Sequence, residues 1–203
     1  MRKSIIAILM TFCLSIMTYA QTPRDRATEL KEQAQSSLNQ KDYIKARYLF
    51  KKAYEAFATR ENYPQAIESG VQANALYVRE NFYKEGFELC RDMDQLIWAG
   101  EQNQKKVFYD LRFLVNKERL QMYTALKNPA QAKTQLNKLE ETANLAKNDS
   151  LTEVLLYTKA NYYYTFNQNT QGDACFRKLI NQYKEKKDYA KVSDCYKNLI
   201  GIA

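Results

Sequence analysis

Apolar residues recur three and four positions apart along most of the chain after its first twenty residues. Ala46, Leu49, Phe50, Ala53 and Phe57 follow this spacing. A second run does the same: Leu151, Leu155, Thr158, Tyr162 and Phe166. This spacing places side chains on one face of an α-helix, whereas a half-buried strand needs alternation with a period of two. No segment sustains that alternation, so the pattern predicts an all-α protein.

Short polar segments separate the predicted helices. They are 39–42, 80–81, 127–128, 148–149 and 167–169. Because these connections are only a few residues long, consecutive helices must lie antiparallel and side by side. Pro23, Pro64 and Pro129 stand where helices would begin, at positions where the missing N–H needs no partner. No linker rich in Gly, Ser or Pro divides the chain, so we expect one domain over residues 21–203.

The turns belong to a repeated frame, in which a small residue follows each turn. Ala46, Gly86, Ala132 and Gly172 hold this small position, spaced 40, 46 and 40 residues apart. The four copies occupy residues 39–53, 80–93, 127–139 and 167–179, and a fifth begins near 187. In the first copy an aromatic residue and a second small residue follow, at Phe50 and Ala53. A sequence period of this size indicates stacked units of secondary structure.

This frame resembles the tetratricopeptide repeat. In that family a small residue lets the second helix of a hairpin lie close to the first, and Ala46, Phe50 and Ala53 match the family's three positions. The resemblance implies a right-handed solenoid of antiparallel helical hairpins, with about four repeats and a partial fifth. The repeats exceed the family's period of about 34 residues, which we interpret as longer helices. The alternative is an irregular helical bundle.

The resemblance also implies a binding surface, because the inner face of each hairpin's first helix lines a concave groove in that family. The corresponding positions here are Lys31, Gln35, Val71, Ala75, Lys117, Gln121, Tyr157, Asn161 and Tyr164. Tyrosine suits such a surface, since its ring buries area and its hydroxyl keeps a polar contact. The equal alternative is that the tyrosines fill gaps between helices. Gln35 and Gln121 follow the lysines where some family members have asparagine, so capture of a C-terminal carboxylate is not expected.

The first twenty residues have the pattern of an export signal. Arg2 and Lys3 form a positive region, Ser4 to Met17 form an apolar region, and a small-residue cleavage site ends at Ala20. The apolar region is shorter than the roughly 20 residues that a membrane-spanning helix needs. We therefore expect cleavage near Ala20 and a periplasmic or extracellular protein with no membrane span in the mature chain. An uncleaved N-terminal anchor is the alternative.

The charge pattern does not favour nucleic acid as a partner. The formal net charge of +8 includes Arg2 and Lys3 of the predicted signal, and acidic and basic residues alternate along most of the remaining chain. The densest basic cluster, Lys184-Glu185-Lys186-Lys187, is typical of a solvated helix end. An anionic partner or the membrane surface stays open through general electrostatic attraction.

Candidate catalytic chemistry is sparse. The chain contains no histidine, which excludes a Ser-His-Asp or Cys-His mechanism and removes the commonest zinc ligand. Glu140 and Glu141 are adjacent on a helix and point about 100° apart, so they cannot form a facing acid–base pair. Residues 148–150 look like a helix stop and an N-cap, although Asp149-Ser150-Leu151 also resembles a bacterial O-glycosylation sequence. No catalytic residue, cofactor or metal is predicted.

The cysteines give a limited prediction. Cys90 takes the place of Phe50 in the repeat frame, so we expect it to be buried and unpaired. Cys175 and Cys195 could meet across adjacent helices, and whether they pair is left open. An odd number of mature cysteines at irregular spacing does not form a disulfide framework.

The functional expectation is an exported, non-catalytic scaffold that binds a peptide or protein. Stacked hairpins leave a long face free and enclose no dry pocket. The alternative is the extracytoplasmic input domain of a membrane-bound signalling protein, such as a histidine kinase or transcriptional regulator. Its motivation is residues 196–203, which are apolar where repeat arrays usually carry a polar capping helix, and self-association through this end is a further expectation. An enzyme is the least favoured hypothesis.

Overall fold

The computed structural model describes residues 25–201, and this part of the chain consists of helices joined by short turns. Its nine helices are α1 Arg26–Asn39, α2 Tyr43–Ala58, α3 Tyr63–Arg79, α4 Tyr83–Gln104, α5 Tyr109–Ala125, α6 Pro129–Ala146, α7 Asp149–Thr165, α8 Asn169–Glu185 and α9 Tyr189–Gly201. No strand occurs among the described residues, which confirms the all-α prediction. The predicted signal, residues 1–20, and Pro23 lie outside the described residues.

The helices form two layers. Each helix packs on the next one in the chain, and the odd-numbered helices α3, α5 and α7 also pack on one another. The even-numbered helices therefore form the second layer, on one side of the odd-numbered layer. Four hairpins, α1–α2, α3–α4, α5–α6 and α7–α8, are followed by α9. This confirms the predicted helical solenoid of about four repeats and a partial fifth.

The apolar core runs between the two layers as three successive clusters. The first extends from α1 to α5, the second from α5 to α7, and the third from α7 to α9. Adjacent clusters share α5 or α7, so each hairpin buries its apolar face only against its neighbours. This is the arrangement expected of a repeat solenoid, whose units cannot bury a core alone.

The small residues of the repeat frame are buried at tight contacts between helices. Ala46 and Ala132 are completely buried. A Cβ atom added to Gly86 would lie 2.7 Å from Met122 Sδ, and one added to Gly172 would lie 2.7 Å from Tyr164 Cζ. A larger side chain at either glycine would collide with these neighbouring side chains unless they moved aside. The predicted role of the small positions is therefore confirmed.

Every turn contains a residue with left-handed backbone conformation, and none of these residues is glycine. They are Lys41, Glu61, Asn81, Lys105, Lys127, Lys147, Asn167 and Lys187, with φ between 50° and 62°. In the first turn the N–H of Asp42 donates to the carbonyl of Ser37 at 2.9 Å, closing the end of α1. This bond satisfies a carbonyl that the helix end leaves without an intrahelical partner.

Side-chain caps fix several helix starts. Asp42, Asn62 and Asn128 each accept a hydrogen bond from the backbone N–H three residues later. Pro64 and Pro129 lie in the first turns of α3 and α6, as predicted. Helix α7 begins at Asp149, two residues earlier than expected, because Asn148 is its cap and accepts from the Ser150 N–H at 3.0 Å.

The long spacing between Gly86 and Ala132 arises in α4. This helix has 22 residues, whereas the other even-numbered helices α2, α6 and α8 have 16, 18 and 17. The interpretation of the extra residues as a longer helix is confirmed for this repeat. Within residues 25–201 no helix is long and apolar enough to cross a membrane.

Candidate functional site

The predicted groove positions all lie on the odd-numbered helices α1, α3, α5 and α7, and we call the surface they define the odd-helix face. Four of them are exposed and occupy equivalent places in successive repeats: Gln35, Ala75, Gln121 and Asn161. The other five are half-buried: Lys31, Val71, Lys117, Tyr157 and Tyr164. The four exposed positions keep the 40, 46, 40 spacing of the repeats, and so do the first four half-buried positions, from Lys31 to Tyr157; Tyr164 lies seven residues further along α7.

Polar members of the half-buried row are engaged by other side chains. Lys31 Nζ donates to Gln65 Oε1 at 2.8 Å and to Glu68 Oε2 at 2.7 Å, which joins α1 to α3. Lys117 Nζ lies 3.0 Å from Glu118 Oε1 on the same helix. These lysines therefore support the packing of the odd-numbered layer and are not free charges on its surface.

The carboxylate beside Lys117 is deeply buried. Glu118 is 1% exposed, and its Oε2 accepts from Asn74 Nδ2 at 3.1 Å. Asn74 is itself completely buried and its Oδ1 has no partner among the described residues. The pair lies between α3 and α5 and ties these two helices by a polar contact inside an otherwise apolar core. A buried carboxylate is tolerated only with such partners.

Two of the predicted groove positions on α7, Tyr157 and Tyr164, are packed against α8. Tyr157 and Tyr164 flank Phe176, with ring centroids 5.6 Å and 6.1 Å from it. The Tyr157 hydroxyl lies 3.3 Å from Cys195 Sγ, and the Tyr164 hydroxyl donates to Asp173 Oδ1 at 2.6 Å. Burial raises the pKa of Tyr157 to about 12 and moves the pKa of Tyr164 well above its ordinary value.

The packing of both rings against α8 favours the alternative that these tyrosines fill gaps between helices. The physical reason is Gly172 on α8, which leaves the space that the Tyr164 ring fills. Among the three successive tyrosines 162–164, Tyr162 is the most buried, at 5% exposure, and Tyr163 is half-buried between two apolar clusters. Of the three predicted groove positions on α7, only Asn161 is exposed.

The odd-helix face opens into a cleft between α5 and α7, which we call the α5–α7 cleft. It has a volume of about 280 Å³ and a floor that includes Leu120 and Tyr162. Its polar lining consists of Gln121, Thr124, Lys127, Thr158, Asn161 and Thr165. The cleft thus brings together two of the predicted positions, Gln121 and Asn161, from adjacent repeats.

The described lining of this cleft offers hydrogen-bonding groups and one cationic side chain, that of Lys127. The threonine hydroxyls each donate to a carbonyl of their own helix at 2.7–2.8 Å, so they face the cleft mainly as acceptors. The amides of Gln121 and Asn161 offer both donors and acceptors. No carboxylate is among the described residues that line the cleft. Such a lining can bind peptide groups.

A larger cavity, which the sequence pattern does not predict, lies on the opposite side of α5. This α4–α6 groove has a volume of about 490 Å³, with α4 and α6 as walls and α5 as floor. Its lining comprises Asp94, Ile97, Trp98, Tyr109, Arg112, Asn116, Arg119, Lys138, Glu141, Thr142 and Leu145. The available signal was the 46-residue spacing, which marks this repeat as different.

Two arginines on the floor of the groove are held by carboxylates from α4. Arg112 Nε donates to Glu101 Oε1 at 2.7 Å and its Nη2 binds Glu101 Oε2. Glu101 also accepts from the Phe108 N–H at 2.8 Å. The hydrogen bond from Arg112 lowers the pKa of Glu101, against the opposing effect of burial. Arg119 Nη2 donates to Asp94 Oδ2 at 2.6 Å and to the Cys90 carbonyl at 2.9 Å.

The described cysteines do not form a reactive centre. Cys90, Cys175 and Cys195 are all free thiols and all buried, which confirms the prediction for Cys90. Burial raises the pKa of Cys90 to about 12 and also raises the pKa of the other two thiols. Since the thiolate is the nucleophile and the metal ligand, none of the three is activated at neutral pH.

Comparison with known proteins was made at three levels. No protein-family model, no curated protein and no solved structure matches the chain. The likeness to tetratricopeptide repeats remains a resemblance carried by the residues of the repeat frame.

Proposed function

We propose that this protein is an exported, non-catalytic helical-repeat scaffold of the tetratricopeptide type, which binds a peptide or protein segment along its odd-helix face. The export signal pattern of residues 1–20 supports a periplasmic or extracellular location. The absence of histidine from the chain and the high pKa values of the three described thiols support a binding role.

The observation that carries the proposal is the α5–α7 cleft. Two exposed amides from adjacent repeats, Gln121 and Asn161, converge on a cleft that has several hydrogen-bond acceptors and, among the described residues that line it, Lys127 as the one cation. A peptide backbone offers alternating N–H and C=O groups, which such amides can bind in either direction. The equivalent exposed positions Gln35 and Ala75 extend the same row along the array. A peptide segment longer than one repeat could therefore contact several of these positions.

The proposal is tested with the mature chain, residues 21–203, as bait in an extract of the cell envelope. Any captured protein is then titrated against the wild-type chain and against a Gln121→Ala/Asn161→Ala variant. Loss of two hydrogen bonds to neutral groups should weaken binding by about 1–3 kcal/mol in total, which raises Kd by roughly 5- to 150-fold.

The matched control removes two exposed amides from the even-numbered layer, Gln95→Ala on α4 and Asn137→Ala on α6. This variant should bind the partner as the wild type does, and both variants should melt at nearly the wild-type temperature. A partner whose affinity falls equally with both pairs, or only with the control pair, would place binding elsewhere and refute the proposal.

A further inference from the structure

The odd-numbered helices differ in the face that they turn towards the even-numbered layer. Helices α3 and α5 begin at Tyr63 and Tyr109, so positions 66, 70 and 73 of α3 correspond to 112, 116 and 119 of α5. In α3 these positions hold the small residues Ala66, Gly70 and Ala73, and all three are buried.

Small residues at these positions let the flanking helices close over α3. A Cβ atom on Gly70 would lie 2.6 Å from Met93 Sδ of α4 and 3.2 Å from Tyr54 Cδ2 of α2. Helices α2 and α4 therefore both reach the surface of α3 at this point. The space between them is filled by protein atoms.

In α5 the same three positions hold Arg112, Asn116 and Arg119. These side chains line the α4–α6 groove instead of a closed contact. In α7 the position equivalent to Asn116, 40 residues later, is Leu156, which is 6% exposed and belongs to an apolar cluster. Two of the three equivalent positions of α7, 152 and 159, are polar as well. The residue that distinguishes α5 is therefore Asn116 at the central position.

The polar groups of the groove are fixed before any ligand arrives. Glu101 holds Arg112 through two hydrogen bonds, and Asp94 holds Arg119. Asn116 lies between the two arginines along α5, and its Nδ2 donates to Thr142 Oγ1 of α6 at 3.5 Å. Side chains held in this way lose little conformational freedom on binding, which favours affinity.

The charges of the groove are balanced. Three cationic side chains, Arg112, Arg119 and Lys138, line it. Asp94 and Glu141 line it too, and Glu101 lies beside it, bound to Arg112. The three positive charges therefore face three carboxylates, so the groove does not select an anion or a cation by net charge. The same groups still present donors and acceptors to uncharged hydroxyl groups.

The rim of the groove is apolar and exposed. Trp98 is 63% exposed and Leu145 is 50% exposed. The flat face of an indole ring is electron-rich and attracts the C–H bonds on one face of a pyranose ring, which are apolar and slightly positive. A cavity of about 490 Å³ also falls in the size range of small-molecule sites, roughly 300–1,000 Å³.

We propose that the α4–α6 groove binds a short neutral oligosaccharide, stacked on Trp98 and hydrogen-bonded by Arg112, Asn116 and Arg119. The two guanidinium groups and the amide provide a row of planar donors and acceptors that matches successive hydroxyls. The site lies on the opposite side of α5 from the odd-helix face. It therefore does not depend on the proposed peptide-binding function, and either can fail alone.

Trp98 is the only tryptophan of the chain, so its fluorescence reports on this groove. The mature chain is titrated with maltotriose, cellotriose and N,N′,N″-triacetylchitotriose, and binding heats are measured in parallel. A sulfated disaccharide and blocked tetra-alanine serve as anionic and peptide probes. We expect at least one neutral trisaccharide to give a saturable change in Trp98 emission and to bind more tightly than both other probes.

Two variants locate the site. Trp98→Ala, followed by calorimetry, and Asn116→Leu, which introduces the side chain that α7 carries at the equivalent position, should each weaken binding at least tenfold. Both should melt close to the wild type. Tyr48→Ala, which removes another aromatic residue that is 60% exposed, and Gln121→Ala/Asn161→Ala should leave saccharide binding unchanged.

The proposal is overturned by any of three results. One is no saturable response to any of the three trisaccharides up to about 10 mM, which corresponds to negligible affinity. Another is saccharide binding that persists unchanged in Trp98→Ala or Asn116→Leu. The last is tighter binding of the sulfated or peptide probe, which would assign the groove to an anion or to a polypeptide.

Discussion

The left-handed backbone conformation of Lys41, in the turn between α1 and α2, can be tested by a single substitution. Lys41 has φ 62° and is exposed. The left-handed conformation costs a residue with a Cβ atom about 1–2 kcal/mol, and glycine adopts it without that penalty. Glycine also loses more backbone freedom on folding, by roughly 0.5–1 kcal/mol. The gain from relieving the left-handed conformation exceeds the loss of backbone freedom, so we expect Lys41→Gly to stabilise the protein by about 0.5–1 kcal/mol.

The matched control is Lys51→Gly in the middle of α2. Lys51 is also exposed, and its replacement removes the same charge and adds the same freedom to the unfolded chain. Because Lys51 is helical, this variant should lose about 1 kcal/mol. The two substitutions should therefore change the free energy of unfolding in opposite directions, and the two variants should differ by roughly 1.5–2 kcal/mol. Both residues lie in the first hairpin, so partial unfolding of the array would affect both measurements alike.

The assay is urea unfolding followed by far-ultraviolet circular dichroism, with the slope of each transition checked against the wild type. We expect the midpoint to rise for Lys41→Gly and to fall for Lys51→Gly. Thermal melts should separate by about 2–4 °C for each kcal/mol. Equal losses of stability in the two variants would mean that the turn does not hold Lys41 in a left-handed conformation, and the account of the non-glycine turns would fail.

Three further predictions follow from packing and burial. Ala46→Leu should overpack the first hairpin and cost about 1–3 kcal/mol, while the neighbouring exposed Lys45→Leu should cost little; equal melting temperatures for the two variants would contradict the repeat frame. Native Cys90 should resist thiol reagents until the protein unfolds, because it is completely buried and its pKa is raised to about 12, and rapid labelling would refute its burial. Glu101 has a lowered pKa in the folded state, so its stabilising effect is complete above the ordinary value of 4.5 and is lost as the pH falls. The stability difference between the wild type and Glu101→Gln should therefore shrink between about pH 7 and pH 3, and a constant difference would contradict the role of the Arg112 bond.

The sequence predicts the fold well because the repeat frame records contacts that recur. Ala46, Gly86, Ala132 and Gly172 each stand where two helices approach, and any larger side chain there would collide with a neighbour. Such positions constrain the residue type directly, so their spacing is visible without a structure. The turns are visible for the same reason, since polar caps such as Asp42 and Asn128 satisfy backbone groups that no other element can reach.

The odd-helix face could be predicted only in outline. Helical spacing places Tyr157, Asn161 and Tyr164 on one stripe, and the structure keeps that spacing. The direction of the two rings, however, depends on space left by another helix, where Gly172 admits Tyr164 and Phe176 separates the two tyrosines. Periodicity along one helix carries no information about such a neighbour.

The α4–α6 groove was missed because its residues look like an ordinary charged helix face. Arg112, Asn116 and Arg119 are polar, and a polar stripe on a predicted helix normally faces solvent. Only alignment of α5 with α3 reveals that the same positions are closed by Ala66 and Gly70 in the preceding repeat. Helix α5 begins 46 residues after α3, whereas the other repeats are spaced by 40 residues. An alignment at 40 residues would therefore pair the wrong positions of these two helices.

The departures from the repeat concentrate on α5. This helix carries the buried Glu118, the clamped Arg112 and the polar Asn116, and it borders both the α5–α7 cleft and the α4–α6 groove. Buried charges and a gap between helices are costly compared with apolar packing, and α3 shows that this fold can close the same space with small residues. In most of a natural protein, local sequence and tertiary packing favour the same structure, and exceptions tend to occur at functional sites. Helix α5 is such an exception, because its neighbours in the array keep their close packing. Helix α5 is therefore the part of the chain at which both proposed binding activities should be sought first.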